Sequence, residues 1–251
     1  MKLNLFGKTA FVSGSSRGIG LDIARKLHNE GCNLAINSRN KSALEEVSKS
    51  LEGSYAISGD ISNPDIARSV IDKVKENFGK IDILVCNVGS GKSVSPGNEY
   101  YEEWIKMLNI NLLSATNIVE ASKKALTESK GCVVCISSIC GNEVIKGAPI
   151  TYSVAKAALN AYVKCSSVPL GELGIRINGI SPGNIKFKNS TWDLKLKENE
   201  KQVKEMLKRE VNLNKLGSPE DISNLVAYLV SPMAKFITGT IFTIDGGQVR
   251  S

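Results

Sequence analysis

Histidine is all but missing from this chain: His28 is alone among 251 residues, and with no second pair of ligands nearby a metal centre is not expected. The six cysteines, Cys32, Cys86, Cys132, Cys135, Cys140 and Cys165, do not fill the gap. Cys132 and Cys135 form a C-x-x-C, but they lie in GCVVCIS, a run that reads as a buried strand, where positions three apart point to opposite faces. Free, buried thiols in a reducing compartment are the expectation. Long apolar runs are also lacking: polar or charged residues break each one well short of the roughly 18 to 20 needed to cross a bilayer. The opening MKLNLFGKTAF has no signal-peptide core, so a cytoplasmic protein with no membrane partner is expected. Proline is scarce at 7 residues and the charged fraction is only 23% against 42% apolar, which excludes the composition of a disordered chain. No linker, low-complexity tract or repeat interrupts the sequence, so residues 1–251 are expected to form one domain.

The formal charge is +7, but its distribution argues against a nucleic-acid partner. From Lys186 to Lys215 nine basic and five acidic residues alternate with apolar ones, as on a solvated helix face, and no nucleic-acid motif accompanies them. A mildly basic surface near an anionic cofactor or substrate is compatible with that reading.

Short β-rich runs alternate with longer helical patterns along the whole chain. KTAFVS, NLAINS, YAIS, IDILVC, CVVCIS, IRINGIS and TIFTID are separated by helical stretches near 18–29, 42–51, 64–78, 100–127, 152–172 and 219–230, and by an irregular basic segment after residue 183. Such alternation means βαβ units: an α/β fold with a single doubly wound parallel sheet of about seven strands and helices on both faces. Ligands of such sheets bind beyond the carboxyl ends of the strands, where the strand order reverses. There the sequence places small residues, Asn and hydroxyls: Ser13-Gly14, Ser38-Arg39, Gly59-Asp60, Asn87-Val88-Gly89, Ser137-Ser138 and Ser181-Pro182-Gly183.

The first strand-to-helix turn reads SGSSRGIG, comprising Gly14, Ser16, Arg17, Gly18, Ile19 and Gly20. Its G-x3-G-x-G spacing departs from the strict dinucleotide fingerprint but keeps its mechanics, a sharp backbone turn that brings a pyrophosphate to a helix N-terminus. Where an NAD site would place an acid on the ribose 2′-hydroxyl, the run INSRNKS has none and offers Ser38 and Arg39, with Arg17 able to converge. A guanidinium fork suits a 2′-phosphate, so NADP(H) is the expected cofactor. Tyr152 and Lys156 stand four apart on a helix, following Ser138 at a strand's carboxyl end. A phenol is a poor acid–base near neutral pH, and a nearby ammonium is expected to lower its pKa, with the Ser138 hydroxyl holding the same substrate oxygen.

Together these motifs resemble the short-chain dehydrogenase/reductase family over essentially the whole length, including Asn111 in NINLL and Asp245-Gly246-Gly247. The resemblance implies catalytic roles for Asn111, Ser138, Tyr152 and Lys156, with Asn111 bending its helix and anchoring a water. It also implies adenine contacts from Asp60 and Ile61, ribose contacts from Asn87, Gly89 and Lys156, and a nicotinamide border of Pro182, Gly183 and Ile185. The nearest likeness is to bacterial 3-oxoacyl-carrier-protein reductases, although Ser129 and Leu173 stand where those enzymes tend to carry basic residues for an acidic carrier, and Asn184-Ile185-Lys186-Phe187 follows Pro-Gly where Thr is common. The expected function is NADP(H)-dependent hydride transfer between nicotinamide and a small-molecule carbonyl or secondary alcohol. A 3-oxoacyl thioester and a sugar, steroid or small ketone remain open as substrates. A silent nucleotide-binding scaffold and a lyase or epimerase on the same fold are the alternatives of other classes. Residues 184–215, with Phe187, Trp192 and Leu194 available to cover a ligand, are expected to form a substrate lid. Surplus apolar positions on the stretches 100–127 (Trp104, Met107, Leu108) and 152–172 (Ala157, Ala158, Ala161, Val168) suggest a homotetramer or dimer.

Overall fold

In the computed structural model, which describes residues 2–250, the alternation resolves into β1 (Thr9–Val12), α1 (Gly18–Asn29), β2 (Asn33–Ser38), α2 (Lys41–Ser50), β3 (Tyr55–Ser58), α3 (Pro64–Phe78) and β4 (Ile83–Cys86). The second half continues with α4 (Tyr101–Leu108), α5 (Ser114–Ser129), β5 (Cys132–Ile136), α6 (Ile150–Glu172), β6 (Arg176–Pro182), α7 (Thr191–Glu210), α8 (Pro219–Val230) and β7 (Ile241–Ile244). The strands form one sheet in the order β3-β2-β1-β4-β5-β6-β7, every neighbouring pair parallel. The order reverses between β1 and β4, so their carboxyl ends, Ser13 and Asn87, flank the crevice where a ligand is expected.

Strand residues alternate between two cores. Ala10, Val12, Leu34, Ile36 and Val134 face α1, α2 and α8, while Phe11, Ala35, Leu84 and Val133 face α3, α5 and α6. Cys132 belongs to the first core and Cys135 to the second. The sheet itself separates the two thiols. No helix is long and apolar enough to cross a membrane among the described residues.

Side chains close the starts of α2, α3, α7 and α8. Asn63 accepts from the Asp65 and Ile66 amides with Pro64 following, Asn40 accepts from Ala43, and Ser218 and Asp221 form a reciprocal capping box. Helix α1 differs: Arg17 precedes it in an extended conformation, no side chain caps it, and no acid lies in its first turn. Its first amides are left for another partner.

Two stretches differ from expectation. The helix expected across 100–127 is divided into α4 and α5 by a π-helical turn over Asn109–Leu113. The fully buried Asn111 makes that turn, its Nδ2 donating to the Met107 carbonyl at 3.1 Å and competing with the regular ladder. The basic segment expected to be irregular is largely the helix α7, kinked at Asn199 (φ −153°, ψ 84°). There the Asn199 side chain accepts from the Gln202 amide at 3.0 Å and starts a second helical arm.

Candidate active site

A cleft of about 650 Å³ opens at the carboxyl end of the sheet. Gly14, Ser16, Arg17, Ile19, Gly20, Ser38, Arg39, Asp60, Ile61, Asn87, Gly89, Tyr152 and Lys156 line it. Of the other residues singled out in the sequence, Ser138 faces Tyr152 from behind the wall, and Gly18 packs under Phe187, which does line the cleft. Pro182 ends β6 and is buried, and Gly183 packs tightly on Asp245. Ile185 sits in the first core, bridged to Gly217. The cleft also exposes residues that the sequence did not assign to it, among them Asn37, Ser90, Gly91 and Ile110, and it is lined by Phe187, one of the residues expected to cover a ligand. Of the unassigned residues only Asn37 carried a signal, as a polar residue directly after the apolar run Leu34-Ala35-Ile36 of β2.

At the turn between β1 and α1 the backbone shapes the site. Gly14 and Gly18 have φ of +62° and +58°, a region disfavoured for residues with a Cβ. A Cβ on Gly20 would collide with the Asn87 amide and the Gly14 carbonyl. Asn87 locks the crevice by donating from Nδ2 to the carbonyls of Ser13 (3.0 Å) and Gly14 (3.1 Å). The open start of α1 therefore points into a floor made of backbone.

Beside this floor the Ser16 and Ser38 hydroxyls lie 2.9 Å apart. Arg39 is not free: its guanidinium donates to Asp60 at 3.4 Å across the mouth of the cleft. Burial alone would raise the Asp60 carboxyl, but the Ser62 hydroxyl (2.7 Å) and amide (3.1 Å), together with Arg39, hold it below the usual carboxylate range. Asn37 donates to the carbonyls of Ile57 (2.9 Å) and Gly59 (3.2 Å), and its buried Oδ1 has no partner. A buried acceptor left bare at a cleft wall suits a donor on a bound ligand.

At the other end, Tyr152 and Lys156 project from the first turns of α6. Burial pushes the phenol up to about 12, against the pull of the Ser138 hydroxyl. Burial also lowers the Lys156 ammonium to about 8, opposed by the nearby thiols of Cys135, Cys86 and Cys140. The ammonium donates to the Ile136 carbonyl at 2.8 Å. The phenol lowered by Lys156 that the sequence suggested is thus not what this structure holds: Lys156 is turned to the strand end, and desolvation governs the phenol. Asn111 does not reach the cleft. Its Oδ1 accepts from the Ser90 amide (2.9 Å) and its Nδ2 donates to the Ser90 carbonyl (3.1 Å), clamping the segment after β4 from both sides.

Known proteins share this arrangement along the chain. The family profile described as "Enoyl-(Acyl carrier protein) reductase" matches residues 14–248. A 3-oxoacyl-[acyl-carrier-protein] reductase of Rickettsia felis is 35% identical, over 98% of this chain and 99% of its own. An L-rhamnose 1-dehydrogenase (NAD(P)(+)) of a Sphingomonas species is 30% identical, over 99% and 98%. Among solved structures, L-sorbose reductase from Gluconobacter frateurii, complexed with NADPH and L-sorbose, superposes with a TM-score of 0.94 at 26% identity, covering all of both chains. With an open helix start over a glycine floor at one end and a Ser–Tyr–Lys cluster at the other, the chain belongs to the short-chain dehydrogenase/reductase family, oxidoreductases that act on carbonyl and alcohol groups with a nicotinamide cofactor.

Proposed function

We propose that the protein is an NADP(H)-dependent reductase of a small-molecule carbonyl, with Tyr152 as the proton donor. The observation that carries this reading is the placement of Tyr152 and Lys156 in the wall of the cleft, with the Ser138 hydroxyl beside the phenol, at the end away from the open start of α1. A protonated phenol can give its proton to a nascent alkoxide, and the phenolate so formed takes one back when the reaction runs toward the ketone.

The residues present fit the cofactor. The uncapped start of α1 and the floor of Gly14 and Gly20 suit a pyrophosphate, the bare Oδ1 of Asn37 suits a donor on the adenine side, and Ser16, Ser38, Arg17 and Arg39 suit a 2′-phosphate. Asp60 and Ile61 would border the adenine, Asn87 and Gly89 the adjacent ribose, Lys156 the nicotinamide ribose, and Pro182, Gly183 and Ile185 the ring. When bound, the nicotinamide supplies the hydride. Ser138 holds the carbonyl oxygen by a hydrogen bond, and Tyr152 gives that oxygen its proton. Lys156 would supply positive charge beside the ribose, and Asn111 fixes the Ser90 backbone that walls the site.

A 3-oxoacyl thioester is the first substrate to test, because relatives such as the Rickettsia felis enzyme bear that name. A ketose is the second, on the strength of the L-sorbose reductase. Purified protein with NADPH and a panel of acetoacetyl thioester, ketoses and steroid ketones, followed at 340 nm, ranks them. Tyr152→Phe is expected to keep cofactor binding while lowering turnover by about 10² to 10⁴. Turnover near wild type in that variant would defeat the assignment.

A further inference from the structure

The chain that leaves β6 after Pro182 is held by backbone. Ile185 bridges Gly217, the Lys186 amide donating to the Gly217 carbonyl at 2.8 Å and the Gly217 amide to the Asn184 carbonyl at 2.9 Å. Immediately beyond, the Phe187 amide donates to Ser190 Oγ at 3.1 Å and the Ser190 amide to the Phe187 carbonyl at 2.9 Å. Ser190 Oγ also accepts from the Asp193 amide at 3.1 Å and so caps α7. The main chain on both sides of Phe187 is therefore pinned, which leaves the ring only its own side-chain torsions.

That ring lies on Gly18, the first residue of α1: a Cβ there would come within 2.6 Å of Phe187 Cε2 and Cζ and 3.0 Å of Cδ2. Of the three glycines in SGSSRGIG, Gly14 and Gly20 line the cleft, and at Gly18 it is Phe187 that does so. Ile19 and Gly20 also line the cleft, on the first turn of α1, where amides lack helical partners. A half-buried aromatic ring beside them leaves apolar surface for a ligand in the cleft to cover. Such a ring also keeps water from the amides, and N–H bonds to an anion are stronger where water is excluded.

We propose that Phe187 is a cofactor-retaining residue: its ring covers the pyrophosphate of a dinucleotide bound at the start of α1 and slows its release. The inference rests on the reading of that helix start as a dinucleotide site, and adds to it the residue that shields the site from water. Because the ring is seated on Gly18, the cover acts on the part that NADPH, NADH and ADP-ribose have in common. It depends neither on a 2′-phosphate nor on the nicotinamide.

The test compares wild type with Phe187→Ala and Phe187→Leu, and needs no turnover. Release of NADPH and NADH is followed by stopped-flow fluorescence, and the Kd values of NADPH, NADH, ADP-ribose and 2′-AMP by titration and competition. Phe187→Ala is expected to release both dinucleotides about fivefold to twentyfold faster and to weaken NADPH, NADH and ADP-ribose by one common factor of about that size. The Kd of 2′-AMP, which has no pyrophosphate, should stay within about twofold, since it makes no contact with the cover. Phe187→Leu keeps apolar cover over a smaller area and should fall between the two. Unchanged release in Phe187→Ala, a loss that spares ADP-ribose, or an equal loss for 2′-AMP would each overturn the proposal. A wild type that binds NADPH, with a Phe187→Ala variant that releases it at the same rate, defeats the cover alone. A wild type that binds no dinucleotide defeats the cofactor reading and the cover with it.

Discussion

Arg39 offers the sharpest test of cofactor choice, because the structure shows what it must give up in order to bind. Its partner is Asp60 at 3.4 Å, the two side chains being 67% and 40% exposed, and an exposed pair of this kind contributes about 0–1 kcal/mol. A 2′-phosphate in its place would accept charge-assisted bonds of about 1.5–3 kcal/mol each. Even one such bond, less the lost pair, leaves about 0.5–3 kcal/mol, or roughly twofold to 150-fold in favour of NADPH. Arg39→Asp removes this and puts a carboxylate beside both the phosphate and Asp60, about 1 kcal/mol of added repulsion, so kcat/KM with NADPH is expected to fall by at least about tenfold while NADH stays within about threefold or improves. Asp60→Asn is the complement. It frees the guanidinium at the cost of one exposed pair, so affinity for NADPH should rise by no more than about fivefold. Initial rates at 340 nm with both cofactors, at one fixed ionic strength, decide the matter. A wild type that uses NADH as well as NADPH, or an Arg39→Asp variant that loses both equally, would refute a 2′-phosphate site.

The geometry carries three further expectations. Lys156 titrates at about 8, so its cation is present below that pH and lost above it; affinity for the anionic cofactor should weaken severalfold from pH 7 to 9 by fluorescence titration, and Lys156→Met should bind weakly with that part of the slope gone. Residues 184–215, where α7 packs through a small core of its own (Val203, Leu207 and Val211 with Trp192 and Met206), should exchange amide hydrogens faster without NADPH than with it, as a lid would; uniformly strong protection in the free protein would argue against one. The exposed Tyr101, Ile105 and Leu113 on one side of α4 and its π-turn, with Ile150, Val154 and Val168 on α6, are apolar faces suited to a second copy, and a monomer of 27.0 kDa in light scattering at micromolar concentration would rule out a dimer or tetramer.

Much of the fold was legible because period and punctuation agree. Near-continuous apolar runs such as ILVC and CVVCI form strands buried on both faces, and SGSSRGIG marks the turn that lines the cleft. The sequence also placed Tyr152 and Lys156 on one helical face. What it hid were properties set by tertiary packing. Nothing in YEEWIKML separates the buried Glu103 from its exposed neighbour Glu102, because burial depends on packing against elements distant in sequence. Met107, expected on an outer face, is fully buried, since the adjoining π-turn resets the helical phase. The ion pair of Arg39 with Asp60 joins positions 21 apart in sequence, and the phenol's shift depends on desolvation, which no spacing reveals. The helix α7 was hidden because its apolar positions are few and Asn199 interrupts the helical pattern where the chain kinks.

The π-helical turn at Asn109–Leu113 also bears on which changes in length this chain tolerates. Such a turn is an α-helix with one residue too many, and each residue of a regular helix advances the rotation by about 100°. Deleting a single residue between Met107 and Ser114 would let α4 and α5 merge into one regular rod, locally a better helix. It would also turn every residue on one side of the deletion by that angle relative to the other, taking Asn111 away from Ser90 or Ile118 and Val119 away from the sheet. A one-residue gap here should therefore be more damaging than a gap of similar size in the exposed segment around Pro96 and Gly97, which lacks a buried face to misalign. The irregularity serves as a phase adjuster that lets one long rod meet both the catalytic wall and the core in register.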